Sequence, residues 1–310
     1  STHCTSSAAS DVYKRQTSLS GTSIEWYDFF LYGAAAGLVF PKLFFGEVDP
    51  TTALILSYMT FAAGFIARPV GGIIFGHFGD LVGRKKTLVI ALMLMGVSST
   101  LIGFLPTYET IGIAAPILLT FLRFCQGIAI GGQWGGAMLL VTESAPNDRR
   151  GYYGAYAQAG APMGVILANI AFISVSLLTT EESFLTWGWR IPFIISFVLV
   201  IISMYIQLKL EDTKAFKELE AAKDSQDGEG KVIKTSPILE ALKRYPKRIS
   251  LAAGAFLSVQ VTFYILVAFV LAYGVETTNL SRNDLLIAVL IGSAVTVSYT
   301  HLTLPTKCSV

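Results

Sequence analysis

Ionisable side chains inside apolar stretches are the residues of this sequence best suited to chemistry. Glu25 and Asp28 lie in one such stretch, Arg68 in the next, and Arg123 in a third. A charged group at the centre of a membrane helix costs about 2.5–3.5 kcal/mol, so its presence there predicts a role in binding or ion transfer. Glu25 and Asp28 are three residues apart and therefore share one face of a helix.

We interpret Asp28, Glu25 and Arg123 as proton-coupling groups, with Arg123 also holding an anionic part of a substrate. Burial disfavours an ionised carboxyl group and a neighbouring arginine favours it, so a carboxyl group subject to both effects can bind and release a proton. A permanent ion pair that joins two helices is the structural alternative. For Glu25 and Arg68, an interfacial position or a part in a gate is a further alternative.

Polar side chains in the same stretches are candidates for substrate contact. The predicted substrate-binding residues are Arg123, Gln126, Arg68, Tyr32, Gln133, Trp134, Gln158 and Asn169. Interhelical hydrogen bonds would explain Gln158 and Asn169 equally well, and Tyr32 could simply pack. The glycines near Gln126 favour close approach of another helix, and the segment around Pro162 predicts a break with a kink.

Eight apolar stretches must position these residues. The 310-residue chain is 53% hydrophobic and 14% charged, whereas soluble domains carry about 25% charged residues. Runs near 20 residues can cross a hydrocarbon core of about 30 Å. We therefore predict an all-α membrane protein with helices over Gly21–Phe40, Thr52–Phe75, Thr87–Leu105, Ile113–Val141, Tyr152–Leu178, Trp189–Leu210 and Ile249–Tyr273, and from near Asp284 onwards.

The sequence also argues against several function classes. It shows no nucleophile–base set, metal-ligand spacing or nucleotide-binding loop, so we predict no enzyme, no catalytic residue and no metal. No cofactor is expected beyond the proton gradient as energy source. The formal net charge of +2 gives no indication of nucleic-acid binding, and a lipid bilayer is the expected surrounding.

Both ends of the chain are expected to be non-native. Residues 6–16 read SSAASDVYKRQ and residues 297–306 read VSYTHLTLPT. One oligonucleotide encodes the first and its reverse complement encodes the second, which resembles a translated sequencing adapter. The expected organisation is residues 1–16 non-native, 17–210 a six-helix transmembrane bundle, 211–248 a cytoplasmic linker, 249–295 the truncated start of a second bundle, and 296–310 non-native.

Lysine and arginine fall in the loops after the even-numbered helices, which places those loops and the N-terminus in the cytoplasm. The segment Gly76–Lys86, GHFGDLVGRKK, is predicted to be a tight turn in this set. Asp80 and Arg84 are four residues apart, and Glu143 at the same level could accept Arg84. The predicted gate-loop residues are Gly76, Asp80, Gly83, Arg84 and Glu143; topology alone is the alternative explanation for the basic residues.

The motifs together resemble the metabolite:proton symporter family of the major facilitator superfamily. They are IEWYDFFLYG, FAAGFIARPVGG, GHFGDLVGRKK, RFCQGIAIGGQWGGA and WGWRIPF. The resemblance implies twelve helices in two six-helix bundles and a central substrate cavity. It assigns Asp80, Gly83 and Arg84 to the gate, and Arg123 and Gln126 to proton coupling. Gln133 stands where relatives commonly have an acid, which adds weight to Glu25 and Asp28.

The expected function is therefore a proton-coupled symporter in the bacterial cytoplasmic (inner) membrane. It would import a small organic acid or zwitterion by alternating access, as a multi-pass monomer. Known relatives carry shikimate, 2-oxoglutarate, citrate, or proline and betaine. An organic-anion exchanger or facilitator, and a non-transporting membrane sensor, are the alternatives.

Overall fold

A computed structural model describes residues 22–82, 84–144, 150–209, 244–278 and 281–303. Side chains are described there except at 80–82, 84–85, 133–144, 150–158, 206–209, 256, 259, 276 and 297–303. The long helices in these ranges are α1 (22–38), α2 (Pro50–Val82), α3 (Arg84–Phe104), α4 (Ala114–Ser144), α5 (Arg150–Leu178), α6 (Arg190–Lys209), α7 (Pro246–Tyr264 and Val270–Thr277, joined by the π-helical turn Ile265–Phe269) and α8 (Arg282–Thr303).

Shorter helical pieces fill the connections. They are Phe40–Phe44, Tyr108–Ile111 and Glu181–Ser183, the last followed by a π-helical turn at Phe184–Gly188. Asp49 lies just before α2 and accepts a hydrogen bond from the Thr52 backbone N–H at 2.9 Å. Hydrogen bonds from Thr52 lower the pKa of the exposed Asp49 carboxyl group, and the charged form then complements the helix N-terminus.

Five of the described helices are long and apolar enough to cross a membrane: Pro50–Gly79, Lys86–Phe104, Ala114–Gly132, Ala159–Leu178 and Pro246–Val275. A sixth candidate is the pair Glu181–Gly188 and Arg190–Tyr205, bent by 44° at its break. The side chains of these spans include many exposed Ile, Leu, Val and Phe residues, as expected for helices whose outer faces contact lipid.

The segment predicted as a tight turn between the second and third helices is helical on both sides of residue 83. α2 continues through Gly76 and Gly79 to Val82, and α3 begins at Arg84; residue 83 lies outside the described part. A glycine lowers helix propensity by only about 1 kcal/mol. Because helix propagation is cooperative, a 33-residue helix continues through both glycines.

Other boundaries also differ from expectation. α5 is continuous through Pro162, so the predicted break is wrong; neighbouring groups can satisfy the carbonyl that a proline leaves free in a membrane helix. α1 ends at residue 38 rather than at Phe40, since a new short helix begins there with Pro41 in its first turn. α7 begins at Pro246, inside the predicted linker, and α8 extends to Thr303, past residue 295.

α1 is enclosed by helices on several sides. The Tyr27 hydroxyl donates to the Pro192 carbonyl of α6 at 2.9 Å. A Cβ atom at Gly164 of α5 would lie 2.5 Å from Trp26 Cβ, and one at Gly33 would touch Phe61 of α2. Because α1 is covered by its neighbours, the acidic side chains that it carries must be accommodated within the bundle.

α2 and α4 approach until their backbones touch. A Cβ atom at Gly127 of α4 would overlap the Gly64 carbonyl oxygen of α2, and one at Gly131 would overlap the Arg68 carbonyl oxygen. These glycines therefore permit the close helix packing that small residues provide in membranes. As a result, Arg123 of α4 lies directly against Gly64, beside α1.

The two helices that follow the linker segment pack onto this bundle. The Tyr58 hydroxyl of α2 donates to the Ala268 carbonyl in the π-helical turn of α7 at 3.0 Å, and α8 packs along α5. Arg282 at the start of α8 forms an ion pair with Glu181 after α5. α7 thus closes one side of the space beside α1 and α2.

Candidate functional site

Asp28 is buried in the middle of the bundle, with only 1% of its surface exposed. Both of its carboxylate oxygens are buried and have no hydrogen-bond partner among the described residues. The hydroxyls of Ser99 and Ser196 lie beside it. Ser196 Oγ donates to a carbonyl of its own helix, whereas Ser99 Oγ accepts from Gln126 Nε2 at 2.7 Å and keeps its own proton, which can turn towards the carboxylate. No arginine nitrogen is bonded to the carboxylate among the described residues, so the group can accept a proton or a new partner.

Arg123 is fully buried in a cage of three aromatic rings. Its Cζ atom lies 4.4 Å from the ring centre of Phe29, 4.3 Å from that of Tyr32 and 4.6 Å from that of Phe61. Each ring face attracts the guanidinium by about 0.5–2 kcal/mol. The cage stabilises a cation inside the bundle without neutralising its charge.

Hydrogen bonds fix the orientation of this cage. Arg123 Nη1 donates to Gln126 Oε1 at 3.0 Å, and Gln126 Nε2 donates to Ser99 Oγ. The Tyr32 hydroxyl lies 2.7 Å from Thr60 Oγ1, whose own proton goes to a backbone carbonyl of α2, so Tyr32 is the donor of this bond. Gln126 and Tyr32, the two polar side chains next to Arg123, are therefore held in place.

Arg68 lies in a second cage of the same design. Its Cζ atom is 4.5 Å from the ring centres of Phe29 and Phe65 and 5.9 Å from that of Trp26. The two cages share Phe29. The other ring positions shift along both helices: by four residues, about one turn, on α2 from Phe65 to Phe61, and by six residues, nearly two turns, on α1 from Trp26 to Tyr32.

Each arginine has an acidic neighbour on α1. Glu25, 4% exposed, lies within electrostatic range of Arg68, and Asp28 lies within range of Arg123. Glu25 and Asp28 are three residues apart on α1, and the two cages are offset along α1 in the same direction. We call the six residues Glu25, Asp28, Phe29, Arg68, Arg123 and Gln126 the paired-arginine site.

The structure brings together most of the predicted ionisable residues. Glu25, Asp28, Arg68, Arg123, Gln126 and Tyr32 lie around Phe29. Asn169 is buried on α5, and the described contacts of the two guanidinium groups do not include it. The side chains of Gln133, Trp134 and Gln158 lie outside the described residues.

The predicted gate-loop residues are only partly described. Gly76 is exposed within α2, and Asp80 lies on its last turns. The side chains of Asp80, Arg84 and Glu143, and all of Gly83, lie outside the described residues, so the Asp80–Arg84–Glu143 contact stays a prediction.

Several residues of the site were missed from sequence. They are the cage residues Trp26, Phe29, Phe61 and Phe65, together with Ser99 and with Tyr264 of α7, whose ring packs 4.9 Å from Phe65. The spacing of aromatic residues at 26, 29 and 32 and at 61 and 65 matches the helical repeat and was the available signal. No sequence signal marked Tyr264, because its position depends on how α7 packs against α1 and α2.

The family model described as sugar (and other) transporter matches residues 16–240, well over half of the chain. The chain belongs to the sugar (and other) transporter family. The predicted membership of the major facilitator superfamily is thereby confirmed, and so is the prediction that the chain is not an enzyme, since the members compared are transporters.

Two relatives in Escherichia coli K12 illustrate the likeness. The chain is 45% identical to the inner membrane metabolite transport protein YhjE, over 87% of this chain and 60% of the relative. It is 41% identical to the shikimate transporter, over 89% of this chain and 62% of that relative. The chain thus spans about three fifths of the length of these family members.

Solved structures support the fold of this family member. The crystal structure of a D-xylose–proton symporter superposes with a TM-score of 0.71 at 16% identity, covering 93% of this chain and 67% of the other. A partially occluded inward-open form of the Escherichia coli xylose transporter gives a TM-score of 0.70 at 17% identity, with 69% of that chain covered. These likenesses confirm the predicted all-helical major facilitator fold.

Proposed function

We propose that the full-length protein is a proton-coupled secondary transporter. It imports a small organic acid or zwitterionic metabolite across the bacterial cytoplasmic membrane by alternating access, as a monomer with its N-terminus in the cytoplasm. The observation that carries this proposal is the burial of Asp28 beside Arg123, with unpartnered polar atoms on both side chains. A purely structural ion pair would use those atoms on each other.

Arg123 has the features of a substrate anchor. Gln126 holds one of its terminal nitrogens, whereas Nε and Nη2 are buried and have no partner among the described residues. These two N–H groups point the same way and can hold one carboxylate through two parallel hydrogen bonds. A carboxylate is present both in an organic acid and in an amino-acid zwitterion, so this anchor suits both substrate classes.

Asp28 has the features of a proton carrier for that anchor. When it is ionised, it can neutralise the Arg123 guanidinium; when it binds a proton, Arg123 is left free for the substrate anion. An unneutralised charge inside a membrane bundle is expensive, so loading of substrate and loading of a proton favour each other. That mutual preference is what couples the two fluxes in a symporter.

The names of the relatives support the substrate range. Beyond the metabolite and shikimate transporters, the chain is 35% identical to a proline/betaine transporter of Escherichia coli K12, over 88% of this chain and 55% of that relative. Those names span an organic acid and zwitterions. All of these compounds carry the one carboxylate that the Arg123 anchor requires.

The cytoplasmic gate is part of the same proposal. Asp80, Arg84 and Glu143 would form its latch, at the ends of α2 and α4 and the start of α3. Because α2 is helical to Val82 and α3 begins at Arg84, the latch would join the ends of helices and not a long turn. Arg84→Gln would then raise leakage of substrate through the resting transporter, while Lys85→Gln would leave it unchanged.

Uptake into proteoliposomes tests the proposal. The full-length protein is reconstituted, and radiolabelled shikimate, proline and 2-oxoglutarate are offered with an inward proton gradient, without a gradient, and with a protonophore. We expect accumulation of at least one substrate only when the gradient is present. Equal uptake in all three conditions would instead identify a facilitator, and gradient-independent uptake that needs internal substrate would identify an exchanger.

A further inference from the structure

Within the paired-arginine site, Asp28 and Arg123 lie in electrostatic range of each other but share no direct hydrogen bond among the described residues. Arg123 Nη1 donates instead to Gln126 Oε1 at 3.0 Å. A change of charge on Asp28 therefore reaches Arg123 either across space or through an intermediate side chain. Ser99 of α3 is placed to be that intermediate.

The Ser99 side chain is fully buried and lies next to both groups. Its Oγ accepts a hydrogen bond from Gln126 Nε2 at 2.7 Å, and its hydroxyl lies beside the Asp28 carboxyl group. A serine hydroxyl can accept one hydrogen bond and donate another at the same time. Because Gln126 uses a lone pair of the oxygen, the hydroxyl proton is left to turn towards Asp28.

The hydrogen bonds in this series run in one direction. Arg123 donates to Gln126, and Gln126 donates to Ser99. Ser99 can in turn donate to the ionised Asp28 carboxylate. Bonds aligned in this way polarise and strengthen one another in the interior of a protein. A protonated carboxyl group is a weaker acceptor, so proton binding to Asp28 weakens the bonds that precede it in the series.

We propose that Ser99 is a positioning residue for both halves of the transport reaction. Its single hydroxyl orients Gln126 against Arg123 and stabilises the ionised form of Asp28. Ser99 keeps its own proton throughout, and only Asp28 gains or loses one. This inference rests on the proposed function and adds a physical link between its proton carrier and its substrate anchor.

Other groups face Asp28 and stay in place when Ser99 is changed. Ser196 of α6 also lies beside the carboxyl group, but its hydroxyl donates to the Pro192 carbonyl of its own helix. The titratable and charged groups in electrostatic range of Asp28 are Arg123 on α4 and Glu25 and Tyr27 on α1. A substitution on α3 therefore removes one hydroxyl and none of these charges.

The pH dependence of uptake tests the link between Ser99 and Asp28. The full-length protein and its Ser99→Ala variant are reconstituted, and initial uptake is measured over a series of pH values. The labelled compound is whichever of shikimate, proline and 2-oxoglutarate the wild type accumulates best. Ser99→Ala removes a donor that favours the ionised carboxylate, so Asp28 should keep its proton to higher pH. We expect the midpoint of the pH profile to rise by about one unit, because a hydrogen bond favours a charged group roughly tenfold.

Ser98→Ala is the matched control for this shift. Ser98 precedes Ser99 on α3 and is also buried, but its hydroxyl donates to the Leu94 carbonyl of its own helix at 2.7 Å. Its loss should leave the midpoint at the wild-type value. Ser99→Thr keeps a hydroxyl and should restore the midpoint, which separates loss of the donor from a change in packing. An unchanged midpoint in Ser99→Ala, or an equal shift in Ser98→Ala, would overturn the role of Ser99.

A double substitution shows whether Ser99 acts on Arg123 through Gln126. If it does, Ser99→Ala has no further effect on substrate affinity once Gln126 is replaced. The double variant Ser99→Ala with Gln126→Leu should then have the same KM as Gln126→Leu alone. Fold increases in KM that multiply would show that Ser99 acts by another route, which contradicts the positioning role.

The outcomes separate this inference from the proposed function. Gradient-driven uptake by the wild type, together with an unchanged midpoint in Ser99→Ala, would overturn the role of Ser99 and leave the symporter standing. Absence of gradient-driven uptake by the wild type for every compound offered would overturn both.

Discussion

Phe29 is the residue on which the site depends most directly. Its ring contacts both guanidinium groups, and its exposed fraction is only 1%. The sequence marks it as one apolar residue among many. Its importance depends on how α1 packs against α2 and α4, because only that packing brings Phe29 into contact with an arginine from each of the two helices.

Replacing this ring should weaken substrate binding. Phe29→Leu removes two cation–ring contacts worth about 0.5–2 kcal/mol each, so the KM for the transported acid should rise roughly tenfold. Phe172→Leu is the control, because Phe172 is equally buried but its described ring contact is with Phe184 and not with a ring of either cage. Similar KM values for the two variants would show that the Phe29 ring does not support the arginines.

Gln126 is the residue that orients Arg123. Gln126→Leu leaves Arg123 Nη1 without its partner, and a hydrogen bond to a charged group contributes about 1.5–3 kcal/mol. We expect substrate affinity to fall by at least tenfold, measured by binding to the purified protein. Ser99→Ala removes the outer hydrogen bond to Gln126 and a hydroxyl beside Asp28 but leaves the Arg123–Gln126 bond, so it should cost about 1 kcal/mol; a larger loss from Ser99→Ala than from Gln126→Leu would contradict this order.

At the residue scale, sequence reasoning found the charges and missed their surroundings. Glu25, Asp28, Arg68 and Arg123 stand out because ionisable groups are rare inside apolar stretches. Phe61, Phe65 and Tyr264 do not, since aromatic residues are ordinary in such helices. Trp189 is fully buried against Phe40 and Phe44, a contact that depends on how the start of α6 packs against the short helix after α1.

At the scale of helices, close contact between α2 and α4 sets the geometry of the site. Gly127 and Gly131 let α4 approach the α2 backbone, which carries Arg68. The same spacing was recognisable from the sequence, because small residues one turn apart are typical of helix contacts in membranes. The identity of the partner helix was not recognisable, because nothing in the α4 sequence specifies α2.

A single added methyl group should disturb this contact. Gly127→Ala places a Cβ atom on the Gly64 carbonyl oxygen, and overpacking typically costs about 1–3 kcal/mol. We expect a lower melting temperature of the purified protein and weaker substrate binding. Gly254→Ala is the control, because a Cβ atom at Gly254 of α7 would have nothing within 4 Å among the described atoms. Equal melting temperatures for both variants would contradict the contact.

Helix positions were predicted well and one connection was not. Hydrophobic run lengths located all of the long helices to within a few residues at most ends. The Gly76–Lys86 segment failed because glycine and charge were interpreted as a turn, whereas α2 continues to Val82. Glycine reduces helix propensity but does not terminate a long helix.

At the scale of the whole molecule, contacts between the first six helices and α7–α8 join the two parts. The Glu181–Arg282 ion pair lies at the end of the bundle where α5 ends and α8 begins, and the Tyr58–Ala268 hydrogen bond lies in the same half, about two turns inside α2. Under the proposed topology this is the external side. In the proposed alternating-access cycle, these contacts would break when the full-length protein opens outward.

Loss of the ion pair should change conformation more than stability. Glu181 is 63% exposed, so the pair contributes at most about 1 kcal/mol to unfolding. Arg282→Gln should leave the melting temperature within a few degrees of the wild type but increase labelling of a cysteine introduced at Phe184. The double exchange Glu181→Arg with Arg282→Glu should restore low labelling. Unchanged labelling in Arg282→Gln would show that the pair does not hold the external side closed.

Transport of an Asp28→Asn variant tests the central claim most directly. In proteoliposomes of the full-length protein, counterflow reports substrate binding and exchange, whereas accumulation under an imposed proton gradient reports coupling. We predict that Asp28→Asn retains counterflow but loses gradient-driven accumulation by at least tenfold, and that Asp28→Glu retains both. An Asp28→Asn variant that reconstitutes normally and still accumulates substrate in response to the gradient would contradict the assignment of the coupling proton to Asp28.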